Sequence, residues 1–307
     1  MSNEAAPVCG SDDLRDVHAF WNTAPCGSHF VDRLADERAT FAAYRRFRYQ
    51  TEWHIPEFAA FAESRDKRVL EIGCGNGADA VMFAAHGARY VGVDLTEKAV
   101  DATRRHLALE GLEGQCRVAN VEQLDYADAT FDIVYSYGAL HHTPSPERAM
   151  REVWRVLKPG GTALVMLYHR HSFNYYVRIL AYMRARLLVE ILTRSWRGAA
   201  DRARSGLRGN AAAEIWDVHY QNFRRRGWSY LRADTFTHHC TDGPDCPRAY
   251  VFSRRDVARL FGGFTAIDLQ VAHFPLNKYS LGVLVPRPLE RRLGAALGWH
   301  LQIRAVK

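Results

Sequence analysis

Residues 68–77 read Arg68-Val-Leu-Glu-Ile-Gly-Cys-Gly-Asn-Gly77, and the rest of the chain is organised around them. Val69, Leu70 and Ile72 make an apolar strand that runs straight into a turn with glycine at three alternating positions, Gly73, Gly75 and Gly77. Glycine takes positive φ without penalty and puts no side chain between backbone and ligand. A helix is expected from about Asn76, carrying Ala78, Ala80, Val81, Phe83 and Ala84, so its free N–H groups point at the same spot. Strand, glycine turn and helix N-terminus form a cofactor cradle at the head of an α/β sheet, with Cys74 inside the turn. Taken alone, the turn fits either GxGxG or the GxGxxA form of a dinucleotide fingerprint. In both cases an acid about 20 residues on, here Asp94, takes ribose hydroxyls.

Working outward, strands are expected at 68–72, 89–94, about 115–119, about 131–136 and about 161–168, with helices near 76–86, 96–110 and 146–157 between them. That alternation is the pattern of a doubly wound α/β sheet, mostly parallel, whose ligands sit beyond the carboxyl ends of the strands. After Tyr168 the pattern breaks. Residues 172–196 predict a long amphipathic helix with Phe173, Tyr176, Leu180, Met183, Leu187 and Ile191 down one side. An arginine-rich stretch, a second helix near 211–225 and a loop marked by Asp242, Gly243, Pro244 and Pro247 follow. A helix at about 253–261 and strands at 264–272 and about 299–306 resume the sheet. Two short helices, near 12–22 and 35–49, precede it. The chain thus divides into a helical lid (1–64), a cofactor-binding core (65–169), an arginine-rich cap inserted over the substrate (170–250) and a segment that completes the sheet (251–307).

The composition, 307 residues with 48% hydrophobic and 24% charged, is that of an ordinary globular protein. No run of about 18 apolar residues exists, so no spanning helix is expected. The first residues carry acids without a basic-then-apolar pattern, which argues against a signal peptide. Six scattered cysteines fit reduced thiols and a cytoplasmic location. Net charge is +7, and thirteen arginines against four acids between Arg170 and Arg232 account for all of it.

Four stretches occur in order: VLEIGCGNG, YVGVDL (90–95), FDIVYSYGALHHTP (131–144) and VLKPGG (156–161). On these motifs, over roughly residues 65–168, the chain resembles the class I S-adenosylmethionine-dependent methyltransferases. It is nearest in pattern to the small-molecule members that tailor quinones, sterols and natural products. The resemblance implies a Rossmann-like seven-stranded sheet, mostly parallel with an antiparallel terminal strand, and S-adenosyl-L-methionine as cofactor. It implies that Gly73, Gly75 and Gly77 let the methionine and ribose parts lie against the backbone, that Glu71 helps hold the methionine end, and that Asp94 takes the ribose hydroxyls. Leu95 would pack on the adenine, Val121 offer its N–H to a ring nitrogen, and Ser136 and Tyr137 line the methionine side through their main-chain carbonyls. Asn120 stands where the family usually has an acid for the adenine amino group; its side-chain carbonyl can still accept. N-terminal segments in such enzymes fold over the cofactor, so the Trp21-to-Phe30 loop is expected to act as a lid and Tyr49 to supply an aromatic contact.

For the acceptor, His141 and His142 follow the fourth strand and His169 and His171 the fifth, and either pair has the right chemistry to take a proton. The alternative is that each is a shaping residue. His238, His239, Cys240 and Cys246 match no zinc spacing, so no metal is expected. The arginine-rich cap points to an acceptor bearing carboxylate or phosphate, or one presented at an anionic membrane surface, unless it is merely a solvated face. Binding of RNA or a carrier by that segment is the second class of function; the lack of interleaved stacking aromatics argues against nucleic acid. A nicotinamide-dependent oxidoreductase is allowed by the turn but not by the later motifs.

Overall fold

The computed structural model of the chain describes residues 12–23, 36–196, 211–274 and 285–307. Strand β1 (Arg68–Ile72) alternates its side chains between two separate apolar clusters: Val69 points into one, Leu70 and Ile72 into the other. Both faces of the strand are therefore covered, which is why its sequence is nearly continuous in apolar residues. Strands β2 (Arg89–Asp94), β3 (Gln115–Val118), β4 (Phe131–Tyr137), β5 (Leu157–His169), β7 (Ala266–Ala272) and β8 (His300–Val306) join it in the order β3-β2-β1-β4-β5-β8-β7, and β6 (Val251–Phe252) pairs with the end of β5. All pairings are parallel except those of β8 with β5 and β7. The expected seven strands are present, with the two-residue β6 as an addition. Strand order reverses at β1, between β2 and β4, and the crevice opens there.

Helices α1 (Asp12–Thr23), α2 (Glu37–Thr51), α3 (Ile55–Ala59), α4 (Ala78–Ala85) and α5 (Glu97–Leu109) come first in the chain. Thr96 caps α5 by accepting from the Ala99 N–H, and Ser145 caps α6 (Pro146–Val156) in the same way through Arg148. β5 begins four residues earlier than its expected start at 161: Leu157 already pairs with Phe131, and the register then shifts before Ile133 meets Thr162. The Pro-Gly-Gly stretch ends α6 as expected but stays extended as a bulged strand.

The insertion contains α7 (174–196), α8 (Ala211–Arg226) and α9 (Ala233–His238). The first part of α7, Asn174–Met183, is wound with π-type bonds before the helix continues as α. A wider turn changes which residues share a face. Tyr175, Ile179, Met183 and Leu187 are buried, whereas Tyr176, expected on the apolar side, is half exposed. Tyr175, Ile179, Tyr230 and Phe236 belong to the same apolar cluster as Tyr135 and Tyr137 of β4, so the described residues of the insertion pack onto the sheet. Of the expected Trp21-to-Phe30 lid loop, residues 24–30 lie outside the described residues.

Candidate functional site

A cavity opens at the carboxyl ends of β1, β2 and β4, bounded by Glu71 to Asn76, Asp94 to Thr96, Ala119 to Val121 and Tyr137 to Thr143 without Leu140 and His141. Its roof comes from the N-terminal helices: Leu14, Val17 and Trp21 of α1 and Tyr44 and Arg48 of α2. Among the described residues, no cap arginine lines it.

The three turn glycines have different reasons. All have positive φ, at 81°, 57° and 79°. A β-carbon on Gly73 would stand 2.4 Å from the Ala139 side chain, and one on Gly77 3.0 Å from the Thr103 backbone, so these two let the turn pack against its neighbours. Gly75 lines the cavity, and a β-carbon there would meet nothing within 4 Å. It is the glycine whose missing side chain leaves room for a ligand.

Asp94 is held by three donors: the Gly75 N–H at 3.2 Å, and the Thr96 N–H and hydroxyl at 3.0 Å each. Burial pushes its carboxyl pKa up, against the pull of these donors. Glu71 is buried and accepts the Tyr90 hydroxyl at 2.6 Å; burial, then the nearby Asp79, hold its pKa well above the carboxylate range. Cys74 is buried in the turn, and burial raises its thiol pKa, so it is an inert wall residue. Leu95 and Val121 line the cavity. Asn120 lines it too, but its side-chain oxygen already accepts the Glu122 N–H at 2.9 Å, closing a local turn.

Two expected contacts are absent from the cavity wall. The Ser136 hydroxyl turns into the sheet and donates to the Ile72 carbonyl at 3.0 Å. Tyr49 donates to Asp79 at 2.8 Å. Asp79 is a buried hub: Arg48 reaches its other oxygen at 2.7 Å and the Tyr135 hydroxyl does so at 2.9 Å. This hub, which nothing in the motifs announced, pins α2 to α4 and presents Tyr44 and Arg48, one helical turn apart, to the cavity in place of Tyr49.

Of the four candidate histidines, the cavity wall includes His142 alone. Its Nδ1–H donates to the Arg248 carbonyl at 2.6 Å, and its Nε2 lies 3.5 Å from Asp242. The Tyr168 hydroxyl donates to that carboxylate at 3.1 and 3.2 Å, and Trp21 meets the imidazole edge-on with ring centres 5.0 Å apart. Asp242 and Arg248 belong to the return loop of the cap, so the cap reaches the site through its backbone and one acid. His141 is fully buried against Tyr168, ring centres 3.8 Å apart; burial, then the neighbouring His142, hold it well below the usual imidazole range. The expectation that His169 and His171 face the same crevice fails. His169 is buried with Nδ1 on the Gly298 carbonyl at 3.1 Å, and His171 is exposed beside the Tyr176 hydroxyl.

Comparison with known proteins agrees with this geometry. Residues 70–165 match the family model described as a methyltransferase domain. They are a class I S-adenosylmethionine-dependent methyltransferase domain. Its cofactor is S-adenosyl-L-methionine, and the open wall at Gly75 and the fixed Asp94 fit that molecule. The chain is 36% identical over 121 residues to 24-methylenesterol C-methyltransferase 2 of Oryza sativa, covering 38% of this chain and 33% of that protein. It is 34% identical over 131 residues to the ubiquinone biosynthesis O-methyltransferase of Thiobacillus denitrificans, covering 42% of this chain and 54% of that one. The match thus spans between a third and about a half of these curated relatives. An S-adenosylmethionine-dependent methyltransferase from Mesorhizobium loti shares the fold, with a TM-score of 0.50 at 18% identity over 83% of this chain and 97% of that chain. The matched residues end before the segment from 170 onward.

Proposed function

We propose that the chain methylates a small, lipid-like acceptor, with His142 as the base. The observation that supports this most directly is the placement of His142 on the same cavity as Gly75 and Asp94, with Asp242 3.5 Å from its Nε2. When bound, S-adenosyl-L-methionine supplies a methyl group whose leaving group is a neutral thioether. Asp94 holds the ribose hydroxyls and Glu71 lies at the methionine end. Tyr44, Arg48 and Trp21 cover the site from the lid side and exclude water. With its Nδ1 hydrogen engaged by Arg248, His142 has its lone pair on Nε2, which takes the acceptor proton. The resulting imidazolium faces Asp242, itself steadied by Tyr168.

The relatives named for sterol and ubiquinone methylation support an apolar acceptor. The cap arginines suit the surface from which it is drawn: Trp228, 69% exposed, stands beside the exposed Arg224, Arg225 and Arg226, a pairing suited to an anionic lipid surface. No helix among the described residues is long and apolar enough to cross a membrane, so contact would be peripheral. Labelled methyl transfer to a panel of prenylated quinols, sterols and polyketide phenols tests the activity. Stabilisation against heat by S-adenosylmethionine but not by a nicotinamide dinucleotide tests the donor; the reverse result would overturn both assignments. Flotation with phosphatidylglycerol vesicles, lost in Trp228→Ala, tests the surface.

A further inference from the structure

We propose that His54, His273 and His300 bind one divalent transition-metal ion of the zinc class. The three residues come from three separate segments: His54 precedes α3, His273 follows β7 and His300 opens β8. One ligand nitrogen from each lies within 4.8 Å of the others. His54 Nε2 and His300 Nδ1 are 3.4 Å apart. Two imidazole nitrogens at zinc–nitrogen distances of about 2.0–2.1 Å in a tetrahedral shell are separated by roughly that distance. The Tyr137 hydroxyl stands 2.8 Å from the first nitrogen and 2.9 Å from the second, in reach of the same ion. A hydroxyl has one hydrogen and can donate to only one of them. Hydrogen bonding through Tyr137 joins those two rings, and the third, His273, stacks on His300 with ring centres 4.4 Å apart.

The surrounding groups suit a metal. His300 Nε2 lies 3.7 Å from Glu52 Oε1, the placement of an outer carboxylate that keeps hydrogen on Nε2 and leaves Nδ1 as the ligand. That carboxylate also offsets part of the ion's charge. A set of neutral nitrogens favours zinc, cobalt, nickel or copper over calcium or magnesium. The second gathering of ligand-type side chains, His142, Asp242 and Cys246, is less suited. There His142 Nδ1 and the Cys246 thiol are both committed to the Arg248 carbonyl. At the first site an ion would clamp the lid segment after α2, the β7–β8 edge and the Tyr137 wall of the donor cavity to one another.

Metal content of the full chain tests this without reference to methyl transfer. After chelation, dialysis against zinc and gel filtration, the wild type should retain one zinc per chain by elemental analysis and gain thermal stability. Cobalt should give the visible absorption of a nitrogen-rich low-coordinate site. His300→Ala and the half-buried His273→Ala should drop the stoichiometry to background while still binding S-adenosylmethionine, the check that they fold. Glu52→Gln should weaken zinc about 10–100-fold, and His142→Ala should leave the stoichiometry at one. Wild-type zinc and cobalt at the background of the histidine variants would overturn the proposal, as would loss of zinc in His142→Ala with retention in His300→Ala.

Discussion

The β1–β2 side of the cavity and the side toward the cap are built by opposite means. On the first, Gly75 and Asp94 bond across 19 residues of sequence, and Tyr90 and Glu71 do the same. Each of these contacts lies within one βαβ unit, so the turn, the strand ends and the acid arrive together once the motif folds. On the second, His142 meets Arg248 across 106 residues, and Tyr137 meets His300 across 163. Those partners share no motif; only the pairing of β5 with β8 and the return of the cap loop bring them near. On the function proposed above, donor binding is thus a local property of this chain, and acceptor chemistry a long-range one.

The comparison breaks if the two sides cannot be separated by mutation. The largest effect expected is on turnover: His142→Ala should lower the rate at saturating donor by about 10²–10⁴-fold while the dissociation constant for S-adenosylmethionine, from calorimetry, changes little. Equal losses in both would mean that His142 holds the donor. Next comes Asp79→Ala, which takes the nearer carboxylate from the largely buried Arg48 and leaves it Glu52 at 3.5 Å, and which should cost about 3 kcal/mol in chemical denaturation. A loss under 1 kcal/mol would remove the hub as the reason α2 sits where it does. Asp94→Ala should weaken the donor by roughly 100-fold, two charge-assisted hydrogen bonds being lost, with the fold intact by circular dichroism. Unchanged donor affinity would remove the cofactor assignment itself.

Smaller effects sharpen the contrast within the glycine turn and at the strand end. Gly77→Ala should cost about 1–2 kcal/mol of stability, since an L residue pays that in the left-handed region and the Thr103 backbone leaves no room. Gly75→Ala pays the same strain but should show its additional loss in donor affinity. Glu71 gives the subtlest test. Its folded pKa is raised above the ordinary value of 4.5 by burial, so the stability it contributes is full below that value and is lost as pH rises through the folded pKa. Glu71→Gln should therefore gain melting temperature relative to wild type at pH 8 compared with pH 5 in the ligand-free protein. A constant gap would mean the carboxyl titrates as in water.

The motif side was legible down to single residues where the reason is local. Gly75, Asp94, Leu95 and Val121 all stand on the cavity, because a strand end and a turn fix where four or five consecutive side chains go. Tyr49 shows the limit: the helix carrying it was readable, but which face of α2 turns inward was set by Arg48 reaching Asp79, 31 residues away. Tyr176 shows another, since hydrophobic spacing assumes α winding and the start of α7 is wound wider. His169 was misplaced for a third reason. It sits at the right end of β5, but the pairing of β8 brings the Gly298 carbonyl to its ring and closes it off.

By itself, then, the sequence determined the sheet, its mostly parallel sense and the donor cradle, because these follow from period-two burial, glycine backbone freedom and contacts a few turns of chain apart. Only the tertiary structure decided which faces of α1 and α2 turn to the cavity, that Asp242 backs His142, and that three histidines spread from residue 54 to residue 300 bring ligand nitrogens within 4.8 Å of one another. Such meetings depend on how strands and helices dock across the whole chain, and the spacing of residues along a sequence carries no record of that.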